Sequence, residues 1–185
     1  MKPAGKIKII QSGIMGSGST LLINLIHGFI CPKEEIHWET ENLIHEFLIT
    51  KTHNYNINNL EKKFSQYNNF FIISERNDSK VQSELNNEYN TKKNVLIINY
   101  NKLLENNNNS INDIVNYTFD KFNNFIPKEL KPNKDDAAIK RDMTKRVKRV
   151  NETVEFMKNK PFSEMDNFTH IHGAHRNRNS HINQK

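Results

Sequence analysis

The sequence has little with which to cross-link itself. Its one cysteine, Cys31, excludes an intramolecular disulfide and a zinc site built on cysteine. Long apolar runs are missing as well. Residues 7 to 30 are fairly apolar and follow Lys2, Lys6 and Lys8, the layout of a leader or an anchor. Gln11, Ser12, Asn24, His27 and a glycine–serine cluster interrupt that stretch. It never reaches the roughly 18 to 20 continuous apolar residues that a membrane span needs, and no small-residue cleavage site follows it. A soluble protein, cytoplasmic or otherwise intracellular and without a membrane span, is therefore expected. The triplets NDS and NYT then reflect abundant asparagine, not glycosylation.

Apolar residues make up 35% of the 185 and the mean hydropathy is −0.80, so the core must be economical. The length suits one domain, drawn here as residues 1–160, with a basic C-terminal segment over 161–185. The asparagine runs (ENNNNSINDI, NYNINN) read as tolerant loops and surface. Lys and Arg number 27 against 21 Asp and Glu, for a net charge of +6 and a pI near 9.3. That balance suits anionic partners such as nucleotides, acidic glycans or nucleic acid, and equally suits simple solubility.

Periodicity supplies the elements. KIKIIQS is a short apolar strand that ends in a glycine loop, and STLLINLIHGF has helical spacing with Leu21, Leu22, Leu25, Ile26 and Phe29 on one face. ENLIHEFLIT reads as a second helix with Leu43, Ile44, Phe47 and Leu48 inward, and NNLEKKFSQY as a third. NNFFIISER and KNVLIINYNKLL are continuous apolar runs, as in strands buried on both faces. DSKVQSELNN between them reads as a short capped helix. SINDIVNYTFDKFNNFI places Ile111, Ile114, Val115, Phe119 and Phe122 on one helical face. Asp135 to Lys158 carries a stripe of Ile139, Met143, Val147, Val150, Val154 and Met157. From Pro161 onward no period is visible. Strands alternating with helices predict an α/β, three-layer fold with a central, mainly parallel sheet flanked by helices.

The chemistry concentrates in SGIMGSGSTLLINLI, residues 12 to 26. Glycines at 13, 16 and 18, ahead of a helix start, present backbone N–H groups and a positive dipole end to an anion. Ser17, Ser19 and Thr20 add hydroxyl donors. Gly13 and Gly18 fit G-x-x-x-x-G, but Ser19 stands where a nucleotide-hydrolysing loop has lysine. No aspartate closes FFIISER or VLIINY to hold magnesium.

With SGSTLL at 17–22, FFIISERNDSKVQSE at 70–84 and NVLIINYNKLL at 94–104, the sequence resembles the P-loop sulfotransferases that use 3′-phosphoadenosine 5′-phosphosulfate. The three elements run in the family's order over roughly the first hundred residues. The resemblance implies that Gly16, Ser17, Gly18, Ser19 and Thr20 hold the 5′-phosphosulfate and that Arg76 and Ser83 hold the 3′-phosphate. The Arg76-to-Ser83 spacing is one residue short, so Ser79 is an alternative. Gly16 stands at the family's basic loop position and Met15 at its proline. Loss of that cation at the leaving group costs several kcal/mol of barrier by analogy with other charge-stabilising groups. Either another cation enters, with His172, His175, Arg176 and Arg178 of HIHGAHRNR as candidates, or the protein is slow or binds without turnover.

For the base that takes the acceptor's proton, the resemblance points to a glutamate some two dozen residues beyond the loop: Glu39, then Glu41, with His37 and His45 as alternatives. Both glutamates also suit a helix start. Trp38 is either an acceptor-pocket wall or core. A hydroxyl-bearing acceptor, foremost a glycan, is implied, and no metal. The rivals are a P-loop kinase whose missing lysine is relocated to Lys6 or Lys80, and a degenerate fold that only binds nucleotide or a polyanion. KRDMTKRVKRV reads as a solvated face or a polyanion surface, and without an RNA-binding aromatic motif nucleic acid is not the expected partner. His170, His172 and His175 lack companions at metal-ligand spacing.

Overall fold

The computed structural model describes residues 6–13, 18–31, 37–38 (backbone alone), 48–75, 89–99 and 110–173. It divides into two compact units, residues 1–19 with 37–109 and residues 20–36 with 110–185.

The first unit holds a parallel sheet. Its strands are β1 (Ile7–Gly13), β2 (His37–Trp38), β3 (Ile49–Thr52), β4 (Asn68–Glu75) and β5 (Val95–Asn99), in the spatial order β2-β3-β1-β4-β5. Every pairing is parallel. The chain is thus α/β, with helices in its connections, as the alternation of runs implies. Helix α1 (Ser19–Ile30) follows β1, and helix α2 (Ile57–Lys63) links β3 to β4 across β1. β1 and β4 pair over seven positions, from Ile7 opposite Asn68 to Gly13 opposite Ser74. Consecutive residues of both strands are buried, the mark of strands covered on both faces.

One face is covered by α2. Ile10, Phe71 and Ile73 of the sheet pack with Ile57, Leu60 and Phe64, and with Tyr89. At seven residues, α2 is too short to persist without this packing. Its start is capped by Asn56, whose side chain accepts from the Asn59 amide at 3.0 Å. Tyr89 closes the cluster by donating its hydroxyl to the Tyr55 carbonyl at 2.9 Å. Lys8, with no exposed surface, lies on this side with its ammonium 5.1 Å from the ring centres of both Phe64 and Tyr67.

Two expectations change. Residues 41–47 of ENLIHEFLIT lie outside the described residues, but its last two, Ile49 and Thr50, belong to β3 and not to a helix. The run Ile-Thr-Lys-Thr is β-branched at three of four positions, which favours a strand once β1 offers its edge. β5 is also less buried than its apolar run suggests, with Val95, Leu96 and Ile97 half-buried, because it is the last strand of the sheet. The helix expected over DSKVQSELNN lies outside the described residues.

The second unit is helical. α1 is buried on nearly every side, through Asn24 and His27 as well as Leu22, Ile23, Leu25, Ile26 and Phe29. The single apolar face read from its spacing is therefore too narrow. Helix α3 (Ile111–Phe125) begins with a capping box between Ser110 and Asp113. Phe119 and Phe122 of α3 meet Phe29 of α1, with ring centres 5.7 and 5.6 Å apart and the second pair edge-on. Helix α4 (Asp136–Met157) is capped by Asp135 and buries the predicted stripe, with Val154 half-buried and Arg146 and Thr153 added to it.

After α4, where no period is visible, two short antiparallel strands form: β6 (Met165–Asp166) and β7 (Ile171–His172). Two-residue strands are too short to show alternation. Asp166 holds their turn by accepting from the amide and hydroxyl of Thr169, both at 2.7 Å. Ile171 then packs on Val150 and Met157, and Asn24 of α1 donates to the Thr169 carbonyl at 2.8 Å. Among the described residues no helix is long and apolar enough to cross a membrane.

α1 and α4 approach most closely at Gly28. A Cβ there would lie 2.6 Å from Met143 Cα and 3.2 Å from Arg146 Cγ. Helix propensity alone favours alanine over glycine by about 1 kcal/mol. We nevertheless expect Gly28→Ala to destabilise the protein by about 1 kcal/mol or more, since the clash is with backbone. Urea denaturation checks the sign; a more stable variant would refute the close crossing.

Candidate functional site

In an open parallel sheet, ligands bind outside the carboxyl ends of the strands, where successive connections leave in opposite directions. Here that point lies between β1 and β4. The chain leaves β1 toward β2 and β3, and leaves β4 toward β5 on the other side. The residues that follow these two strands are the glycine loop and Arg76. Two segments far apart in sequence thus start from neighbouring positions, since Gly13 is the register partner of Ser74.

The root of the loop is held firmly. Ser12 Oγ donates to the Asn54 carbonyl at 2.6 Å, and His53 Nδ1–H donates to the Gly13 carbonyl at 2.8 Å. With β4 on one side and the β3–α2 connection on the other, the last residue of β1 has little freedom. At the far end of the loop Gly18 has φ 79°, the left-handed region open to glycine. Ser19 follows as the first residue of α1 and is buried. The first-turn amides of a helix lack intrahelical acceptors, so this start offers donors to an anion.

Toward the carboxyl end of β1 lies a polar patch that sequence reasoning passed over. Gln11 is fully buried, and its Nε2 donates to the Ser12 carbonyl at 2.9 Å and to Ser74 Oγ at 3.5 Å. Its Oε1 has no hydrogen-bond partner among the described residues. A buried acceptor left unsatisfied costs about 1–3 kcal/mol, so a donor belongs there. Lys51 of β3 is the register partner of Gln11 and shares its sheet face. It is 2% exposed, and burial lowers its pKa to about 7. Buried lysines near neutrality occur in active sites and in structural networks alike. The Gln11 signal was available, because Gln-Ser closes an otherwise apolar strand. The Lys51 signal was hidden by the helical reading of its neighbours.

Of the residues singled out from sequence, Gly18, Ser19 and Thr20 stand at the start of α1, where the Thr20 carbonyl accepts from Asn24 at 2.8 Å. His37 is in β2, with its backbone paired to Thr50. Gly16, Ser17, Glu39, Glu41, His45, Arg76, Ser79, Lys80, Ser83, His175, Arg176 and Arg178 lie outside the described residues. Lys6 does not serve as a relocated loop lysine. It is exposed and precedes β1, at the opposite end of the strand from the loop. His172 stands in β7, its ring stacked 5.2 Å from that of Phe162. His170 is buried with φ 63°.

Lys51 makes a pH test possible. Its pKa is about 10.5 unfolded and about 7 folded, so between these values the unfolded chain binds the extra proton and stability rises with pH. From pH 7 to 9.5 the wild type should gain on the order of 2 kcal/mol relative to Lys51→Met, and nothing below pH 6. Parallel urea titrations measure the difference; a constant gap would show that Lys51 stays charged. Comparison of the chain with protein-family models, with curated proteins and with solved structures finds no match in any of the three.

Proposed function

We propose that this protein is a sulfotransferase of the P-loop type, moving a sulfuryl group from 3′-phosphoadenosine 5′-phosphosulfate to a hydroxyl acceptor, foremost on a carbohydrate. One observation carries the reading: the glycine loop leaves β1, and Arg76 leaves β4, at adjacent carboxyl ends. That suits a molecule bearing phosphate at two positions better than one bearing a single phosphate chain. The amides and hydroxyls of Gly18, Ser19 and Thr20 are all donors, as an oxyanion requires, and Gln11 Oε1 suits a donor of the ligand or of the loop. The donor set of the described residues therefore fits the group. When bound, that cofactor supplies an activated sulfuryl group.

In this reading Gly16 to Thr20 hold the 5′ end and Arg76 with Ser83 the 3′-phosphate, while Glu39, or Glu41 or His37, takes the acceptor's proton. Lys51, buried in register with Gln11, is in this reading the source of the positive charge that Gly16 does not supply. A kinase is the second reading, favoured by Glu75, a buried carboxylate at the end of β4 where magnesium is commonly held.

Calorimetric titration separates them. The sulfotransferase reading expects adenosine 3′,5′-bisphosphate to bind more tightly than ADP, with ADP indifferent to magnesium. Arg76→Ala should weaken the bisphosphate by about 10- to 100-fold and ADP by less than about threefold, as for loss of a charge-assisted hydrogen bond. Preference for ADP with magnesium would establish the kinase instead. Bisphosphate binding without sulfuryl transfer to any hydroxyl acceptor would leave a binding protein.

A further inference from the structure

We propose that the basic face of α4 binds single-stranded nucleic acid, with the phosphate backbone along the helix and bases in the grooves on either side. The inference is independent of the sulfotransferase reading and stands within the second unit alone.

Two grooves of about 620 and 580 Å³ flank α4, and both are lined by Lys145 and Lys148, which therefore stand on the ridge between them. Each volume is within the range of ligand sites. Together the grooves are lined by seven basic residues, at 134, 140, 141, 145, 146, 148 and 149, of which Arg146 is buried, against the carboxylates of Asp142 and Glu152. Asp142 is already neutralised. It accepts from Lys134 at 2.7 Å and from the Cys31 thiol at 3.1 Å, and it lies 3.7 Å from Lys145. Arg141, Lys145 and Arg149 recur every four residues, about 6 Å apart along the axis. That row suits a chain of phosphates.

The aromatic group absent beside this helix in the sequence is supplied by the fold. Phe168, from the turn between β6 and β7, lines the larger groove and is half-buried. The guanidinium of Arg146 lies 4.2 Å from its ring centre and that of Arg149 5.1 Å. With these guanidinium groups over its ring, Phe168 holds the exposed Arg149 as a flat platform on which an unpaired base can stack. Duplex DNA would not offer its bases to such a ledge. A membrane surface fits poorly, because the large exposed apolar residues Tyr55, Phe156 and Phe162 line neither groove.

Fluorescence polarisation with a labelled 12-nucleotide single-stranded RNA and the full chain, between 50 and 200 mM salt, tests this. The double variant Lys145→Ala/Lys148→Ala should bind at least about tenfold more weakly and lower the salt slope by about 1.4, two phosphate contacts at about 0.7 each. The control Lys158→Ala/Lys160→Ala removes the same charge outside the grooves and should stay within about twofold. Phe168→Leu should weaken binding by about 5- to 150-fold with the slope unchanged. Thermal melts confirm that each variant is folded. Equal loss in both double variants would overturn the proposal in favour of diffuse attraction. Wild-type affinity in Phe168→Leu, or binding of a heparin oligosaccharide but not of RNA, would overturn the assignment to single strands.

Discussion

The pairing of β1 with β4 is the constraint on which the first unit depends. The parallel ladder pairs the backbone of both strands, and because consecutive side chains of each are buried, something must also cover each face. α2 covers one face, and the connection that carries it runs from β3 across β1 to β4. That crossing reverses the direction of the connections between β1 and β4. The switch point at their carboxyl ends is therefore a by-product of burying the sheet.

Two buried lysines show how position on the same sheet separates support from chemistry. Lys8 lies at the start of β1 on the α2 side, where the rings of Phe64 and Tyr67 take up its ammonium, and burial lowers its pKa to about 8. Lys51 lies on the opposite face, in register with Gln11 and two residues from the loop's level in the sheet. The polar patch of Gln11, Lys51 and Ser74 lies toward the carboxyl end of the sheet.

In the second unit the corresponding constraint is the crossing at Gly28. Bringing α1 against the Met143 backbone leaves the apolar stripe of α4 buried, with Arg146 in it, and leaves Arg141, Lys145, Lys148 and Arg149 exposed. The same approach brings Cys31 to Asp142, and burial together with that carboxylate raises the thiol's pKa to about 11. Cys31 is for this reason a quiet thiol, and its hydrogen bond leaves the cations beyond Asp142 facing outward.

By itself the sequence determined the elements whose apolar pattern persists over several repeats: β1, α1, α2, β4, β5, α3 and α4, and with them the α/β class. It also located the glycine cluster between β1 and α1. A hydrophobic period is a local property and survives being read one residue at a time. What only the tertiary structure decided is non-local. β3 is four residues, with no period of its own, and became a strand because β1 presents an edge. Strand order, and so the switch point beside Gly13 and Ser74, depends on pairing across more than sixty residues of chain. Phe168 reaches Arg146 and Arg149 only because the β6–β7 turn folds back on α4. Such contacts leave no spacing to read, because their free energy lies in surfaces that meet only when the chain has folded.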